Sequence, residues 1–235
     1  MSRVANARAT MASRVEDGGS LDYFPSPPWW GRALGEALDR LGLPGRRSCE
    51  EPAAGEGHLA HGLRDVFAVV QASDVHRYPR RRGALEIVQS DYLAPRWRSA
   101  ARRAGTVLPD WTATNPPFGD RTEPFIRRAV ACSGIGAAML LQLGLLEGKD
   151  RLRLFRDCGL YATVVLPRKG SGLRKGLWQP GLSTATRYAW FIFVRPGCAP
   201  SWTGFSGEAR QIWMDWDAAE RLTRDSDVAF AGLGR

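Results

Sequence analysis

The chain has 235 residues, 44% of them hydrophobic and 24% charged, which is ordinary globular usage and enough for one full-sized core rather than two. It contains no run of 18 apolar residues, which argues against a membrane span, and its nine Trp argue against disorder over most of its length. A net charge of +9 points to a polyanionic partner, nucleic acid first, while leaving ribosomal, membrane-surface and merely soluble proteins open. Three of the basic residues are Lys (Lys149, Lys169, Lys175) and the rest are Arg; we read this ratio as a coding bias of a GC-rich genome.

Residues 1–20 are small and polar, with no continuous apolar stretch, and are expected to be a flexible leader rather than a secretory signal; order should begin near Leu21 in one domain spanning 21–235, in the cytoplasm. A proline-stiffened turn then leads into a helix from about Pro28 to Leu41. Its apolar positions Trp30, Ala33, Leu34, Ala37, Leu38 and Leu41 keep helical spacing, and Gly42 and Pro44 stop it. Within RSCEEPAAGEGHLAHGLRDV a short strand ends at a Gly-rich turn, and a short helix starts near Gly57. The segments FAVVQASDV, ALEIVQSDYL and VLPDWTATNPPF read as three more strands, the last ending in a rigid Asn-Pro-Pro-Phe turn, and TEPFIRRAVACS as a helix. Next come GIGAAMLLQLGLL, a strand running into a loop, the helix GKDRLRLFRDCG and the strands LYATVVLPR and TRYAWFIFVRPG. The last two have no helix between them, and the basic Gly-rich loop Arg168–Gly181 joins them. The expected fold class is therefore α/β: a seven-stranded, mostly parallel sheet with helices on both faces and an antiparallel edge hairpin. Residues 200–235 are hardest to place, with a short helix expected in DWDAAERLTRD.

Cys49, Cys132, Cys158 and Cys198 are widely and irregularly spaced, so neither a zinc site nor a disulfide framework is indicated. His58 and His61 share a helix face at i, i+3 but lack a convincing ligand set, and no metal is expected.

Three segments carry chemistry. In Glu51–Gly57 (EPAAGEG), a strand runs into Gly-x-Gly and then a helix, a turn that lets backbone approach a ligand closely, although Leu59 and Ala60 depart from the full dinucleotide fingerprint. Asp74 and Asp91 end the next two strands, where ligands of open α/β sheets bind. A carboxylate at the first suits a ribose diol, and one at the second suits an exocyclic amine, so an adenosine-containing ligand is implied. In Thr114–Phe118 (TNPPF), two prolines stiffen the backbone and leave carbonyls free beside the Asn115 amide oxygen and the Phe118 ring. That arrangement suits a flat base bearing an NH2 group.

With these residues in place, the chain resembles the class I S-adenosylmethionine-dependent methyltransferases, and within them the phage- and prophage-type DNA adenine-N6 enzymes. The resemblance runs from FPSPP (Phe24–Pro28) to about Val194 and rests on FPSPP, EPAAGEG and TNPPF in that order, which matches one permutation class. It implies a Rossmann-like fold, the cofactor S-adenosyl-L-methionine, and methylation of adenine N6 in DNA with base flipping. It further implies that Glu51, Pro52, Ala53 and Gly55 to Gly57 hold the cofactor's amino-acid part. Asp74 would take the ribose, Asp91 with Tyr92 the adenine, and Phe24 and Pro25 would lie near the methyl group. Asn115 and the Pro116 carbonyl would polarise the target amine, with Pro117 stiffening the turn and Phe118 stacking on the base.

Only about forty residues follow the last of these strands, leaving little for a separate target-recognition region. Two basic stretches, Arg77–Arg103 and Arg151–Lys175, could track phosphates or be solvated surface; the loop bearing Arg168, Lys169, Arg174 and Lys175 is the better candidate because it follows a strand end on the motif rim. Trp29 and Trp178 are read as packed aromatics before base-stacking platforms. Other readings are an RNA-base methyltransferase, a protein-glutamine methyltransferase, and a nucleic-acid-binding module without turnover.

Overall fold

The computed structural model describes residues 23–79, 83–95, 107–174 and 177–231; the expected leader 1–20 and most of the arginines of the first basic stretch lie outside them. The elements follow in the order α1 (Pro28–Arg40), β1 (Ser48–Glu51), α2 (His58–Leu63), β2 (Val69–Asp74), β3 (Ile87–Gln89), β4 (Trp111–Thr114), α3 (Thr122–Cys132), β5 (Gly136–Gln142), α4 (Arg151–Cys158), β6 (Leu160–Val165), β7 (Gly172–Arg174), β8 (Leu177–Gln179), β9 (Tyr188–Val194), β10 (Arg210–Trp213) and α5 (Ala218–Leu222). Eight strands form one sheet in the order β10-β6-β9-β5-β4-β1-β2-β3, and β7 and β8 form a separate antiparallel hairpin within the basic loop.

Every pairing in the large sheet is parallel except those of β9, which runs antiparallel to both β5 and β6. The expected antiparallel pairing of the last two predicted strands is therefore present, with Val165 opposite Ala189, but the pair is not at the edge. β9 inserts between β5 and β6, and an eighth strand, β10, pairs with the outer side of β6. All seven residues of β9 are buried, as in a strand covered on both faces of the sheet. β10 has the pattern of an edge, with only Ile212 half-buried, so its four residues carry no readable period.

Alternation along β5 divides the core between two faces. Ala138 and Leu140 join α1, α2 and the Trp residues in the larger cluster, whereas Ala137, Met139 and Leu141 pack with Ile126 of α3 and Phe155 of α4. α1 opens with Pro28 at its first position, where a missing N–H costs nothing, and buries Trp29, Trp30, Leu34 and Leu38. α1 and α2 touch backbone to backbone: a Cβ at Gly62 would lie 1.8 Å from the Pro28 carbonyl oxygen, so only glycine permits the crossing. This contact seats the residues preceding α1 beside the glycine loop preceding α2.

Trp29 and Trp178 are both fully buried, and each donates its indole N–H to the Gly170 carbonyl at 2.9 Å. They pin the base of the basic loop to α1 and present no face to a ligand. Among the described residues, no helix is long and apolar enough to cross a membrane.

Candidate active site

A cleft, open at its mouth, lies at the carboxyl ends of β1, β2 and β4. It gathers three segments distant in sequence: Phe24, Pro25 and Ser26 before α1; Glu51, Pro52, Ala53 and Asp74 around the glycine loop; and Asn115, Pro116 and Pro117 after β4, with Asp91 at the side. The order of parallel strands reverses between β1 and β4, and loops diverge there to leave a crevice.

The glycine loop is held by its own acid. Gly55 has φ +54° and donates its amide to Asp74 Oδ2 at 2.8 Å, while Asp74 Oδ1 accepts the His76 amide at 2.9 Å. Burial raises the Asp74 carboxyl above its ordinary value, and these amides oppose the rise. Gly55 therefore spends its N–H within the protein, and neither it nor Gly57 lines the cleft; together they shape the turn. Both Asp74 oxygens keep a further lone pair for a hydroxyl donor.

Glu51 is 1% exposed. Burial first, then the Asp74 charge, raises its carboxyl well above the usual range, and the Ala60 amide only partly offsets this. Its Oε2 has no hydrogen-bond partner among the described residues. A buried carboxylate facing a cleft with an oxygen unpaired is suited to a cationic donor such as an ammonium group.

Asn115 shows a second unpaired acceptor. Its Nδ2 donates to Ser26 Oγ at 3.0 Å, and its Oδ1 is buried without a partner among the described residues. In the same turn, the Pro117 carbonyl accepts the Thr122 hydroxyl at 2.9 Å.

Two expected contacts are placed elsewhere. Tyr92 is 1% exposed, packs its ring on Phe125 with centroids 5.0 Å apart, and lies under the Arg128 guanidinium; it belongs to the layer beneath the cleft. Phe118 is half-buried against the larger core cluster and does not line the cleft. Asp91 lines it, with Oδ1 taking the Leu93 amide at 2.9 Å.

Sequence reasoning missed Tyr23, Ser26, His58, Tyr78, Arg121 and Phe125, all of which line the cleft. Tyr23 stacks on Tyr78 at 4.6 Å, and its hydroxyl lies 3.2 Å from His58 Nδ1. His58 Nε2 lies 3.0 Å from the Phe230 carbonyl, which can only accept, so Nε2 carries the hydrogen and Nδ1 receives the tyrosine proton. The proximity of a tyrosine to the glycine loop has no local signal, because Tyr23 and Gly55 belong to different elements.

Arg168 and Lys169 are exposed just beyond β6, and outside the cleft lining; Lys169 Nζ lies 3.7 Å from Glu220. Arg174 is in β7, and Lys175 lies outside the described residues. Because β9 is antiparallel, Arg187 at its start also falls at the carboxyl end of the sheet. Arg121, Arg168 and Arg187 are exposed and have no acidic partner among the described residues; exposed Arg64 and Arg156 also have none, whereas Arg32, Arg46, Arg127, Arg221 and Arg224 are paired.

No protein-family model and no curated protein sequence matches the chain. Its fold matches solved structures. A Listeria monocytogenes protein described as a candidate class I S-adenosylmethionine-dependent methyltransferase superposes with a TM-score of 0.55 at 14% identity, over 90% of this chain and 71% of that one. The methyltransferase subunit of a type I restriction-modification system from Streptococcus thermophilus gives 0.50 at 12%, over 88% of this chain and 53% of that one. A Pyrococcus horikoshii protein described as a candidate RNA methyltransferase gives 0.50 at 16%, over 74% and 87%. The chain thus has the Rossmann-like fold of these methyltransferase structures.

Proposed function

We propose that the chain is an S-adenosylmethionine-dependent methyltransferase acting on an exocyclic amine of a nucleobase, with adenine N6 in DNA as the substrate the residues fit best. The observation that carries this reading is a pair of buried acceptors without hydrogen-bond partners among the described residues, Glu51 Oε2 and Asn115 Oδ1, on two residues that line one cleft. The first fits the ammonium of the cofactor's amino-acid part, and the second fits an N–H of a target amine. In this reading Asp74 takes the ribose hydroxyls and Asp91 the cofactor's adenine; both line the cleft.

S-adenosylmethionine supplies a methyl group already activated by its sulfonium, so the protein's task is positioning. Asn115 Oδ1 and the Pro116 carbonyl would accept the two amine hydrogens and free the nitrogen lone pair for attack; as the N–C bond forms the sulfonium S–C bond would break, S-adenosylhomocysteine would leave, and the amine would release one proton to water. A base stacked in a duplex cannot enter such a cleft, so the target is flipped out or already single-stranded. The unpaired Arg121, Arg168 and Arg187 favour a phosphate backbone across the mouth. The restriction-modification methyltransferase among the similar folds accords with DNA.

The test is incubation of the protein with radiolabelled S-adenosylmethionine and, side by side, unmethylated DNA in single- and double-stranded form, RNA and cell extract. We expect label in DNA, recovered as N6-methyladenine, and its loss in Asn115→Ala. Label confined to RNA or to protein glutamine would overturn the DNA assignment. Cofactor binding with no label in any substrate would sink the enzymatic reading.

A further inference from the structure

We propose that Ser26 is a positioning residue that sets the orientation of the Asn115 side-chain amide, and through it selects a substrate that donates hydrogen bonds; the proposal rests on the methyl-transfer reading above. An amide has one accepting and one donating end, and a turn of the terminal torsion exchanges them. Only one orientation presents an acceptor to an amine. Ser26 Oγ accepts the Asn115 Nδ2 hydrogen at 3.0 Å and directs its own hydroxyl toward the Phe24 carbonyl at 3.5 Å. The hydroxyl proton is thereby turned away from Asn115, and a lone pair faces it. In the reversed orientation, the amide nitrogen would lose this acceptor and the serine would have to reorient.

Ser26 is itself held rigidly. It is 4% exposed and flanked by Pro25 and Pro27, and a residue preceding proline is confined to extended backbone. Pro27 caps α1, whose next residues are the buried Pro28, Trp29 and Trp30. The motif preceding α1 thus brings a fixed acceptor to a residue 89 positions later in the chain. The amide oxygen is left buried, with no partner among the described residues, before substrate arrives, which is the preorganisation that speeds transfer without tightening cofactor binding.

Ser26→Ala and Ser26→Thr are compared with the parent protein, using radiolabelled S-adenosylmethionine and DNA from a host lacking adenine methylation, with cofactor binding measured by calorimetry. The parent is assayed first: if it labels no DNA, the DNA-methylation reading fails before any variant is compared. Given an active parent, we expect Ser26→Ala to lower the turnover number about tenfold to a hundredfold. Its cofactor dissociation constant should stay within about twofold of the parent's, and Ser26→Thr, which keeps the hydroxyl, should retain most of the parent rate. Three results would overturn the proposal: parent turnover in Ser26→Ala; a loss explained by weakened or absent cofactor binding; or Ser26→Thr binding cofactor normally yet no faster than Ser26→Ala.

Discussion

Arg32, on α1, and Asp227, 195 residues later, form a buried two-bond pair, with guanidinium nitrogens 2.7 and 2.8 Å from the two carboxylate oxygens. The same arginine reaches Asp65 at 2.6 Å and the Leu222 carbonyl at 2.7 Å. Asp227 also accepts the Arg224 amide, and His61 Nε2 lies 3.4 Å away. One arginine therefore ties the C-terminal segment to both helices that carry the cleft. Phe230 is brought against His58, a cleft residue, by the same fastening.

Removing the Asp227 charge leaves the buried Arg32 with only the Asp65 carboxylate as counter-charge. Asp227→Asn should cost about 3–5 kcal/mol in urea unfolding. Burial by itself would raise the Asp227 carboxyl, but Arg32, with His61 and the Arg224 amide, holds it down to about 2. A depressed carboxyl stabilises the fold above its unfolded value and stops doing so as pH falls. This contribution should be complete above about pH 4 and lost through pH 2. An Asp227→Asn protein unfolding at the parent midpoint would contradict the assignment.

Glu50 has the opposite sign. It faces away from the cleft, and burial raises its carboxyl from 4.5 to about 7. Between those values the folded state holds a proton that the unfolded state has released, so stability should fall as pH rises from about 4.5 to 7, by roughly 3 kcal/mol. Glu50→Gln should remove this slope and be the more stable protein at pH 8, as read from urea midpoints across pH. Parallel curves for variant and parent would refute it.

The Glu51 carboxyl, raised by burial and by Asp74, must ionise to hold an ammonium group. Affinity for S-adenosylmethionine should increase with pH while Glu51 ionises, then flatten as the cofactor's amine begins to lose its own proton near pH ~8. Glu51→Gln should weaken binding at least about tenfold and abolish the increase. Calorimetry at several pH values checks both, and an unchanged pH profile in the variant would assign the dependence to another group.

Gly55→Ala tests the loop. Its φ of +54° lies in the left-handed region, and an added Cβ would sit 2.3 Å from Tyr23 Cε2. Tyr23 would have to leave His58 and Tyr78, so we expect a loss of about 1–3 kcal/mol in thermal unfolding together with weakened cofactor binding. Parent-like stability with parent-like affinity would show that neither the φ nor the tyrosine constrains the loop.

What could be read from the chain alone was local. The helical spacing from Trp30 to Leu41, the alternation of strands with helices, and the glycines of EPAAGEG act over a few residues, and the structure bears out the α/β sheet they imply. The motif segments at Phe24, Glu51 and Asn115 were legible for the same reason: prolines and glycines constrain their own backbone wherever they stand. Tertiary structure decided the pairings between distant residues. β9 lies inside the sheet, and all seven of its residues are covered on both faces, a requirement its own sequence states without naming the neighbours. β10 exists because β6 has an open edge beside Arg210–Trp213. Ser26 meets Asn115, and Arg32 meets Asp227, because α1 crosses α2 through Gly62 and the C-terminal segment folds back onto both. Such meetings depend on which surfaces bury together, and no spacing within a single segment records that.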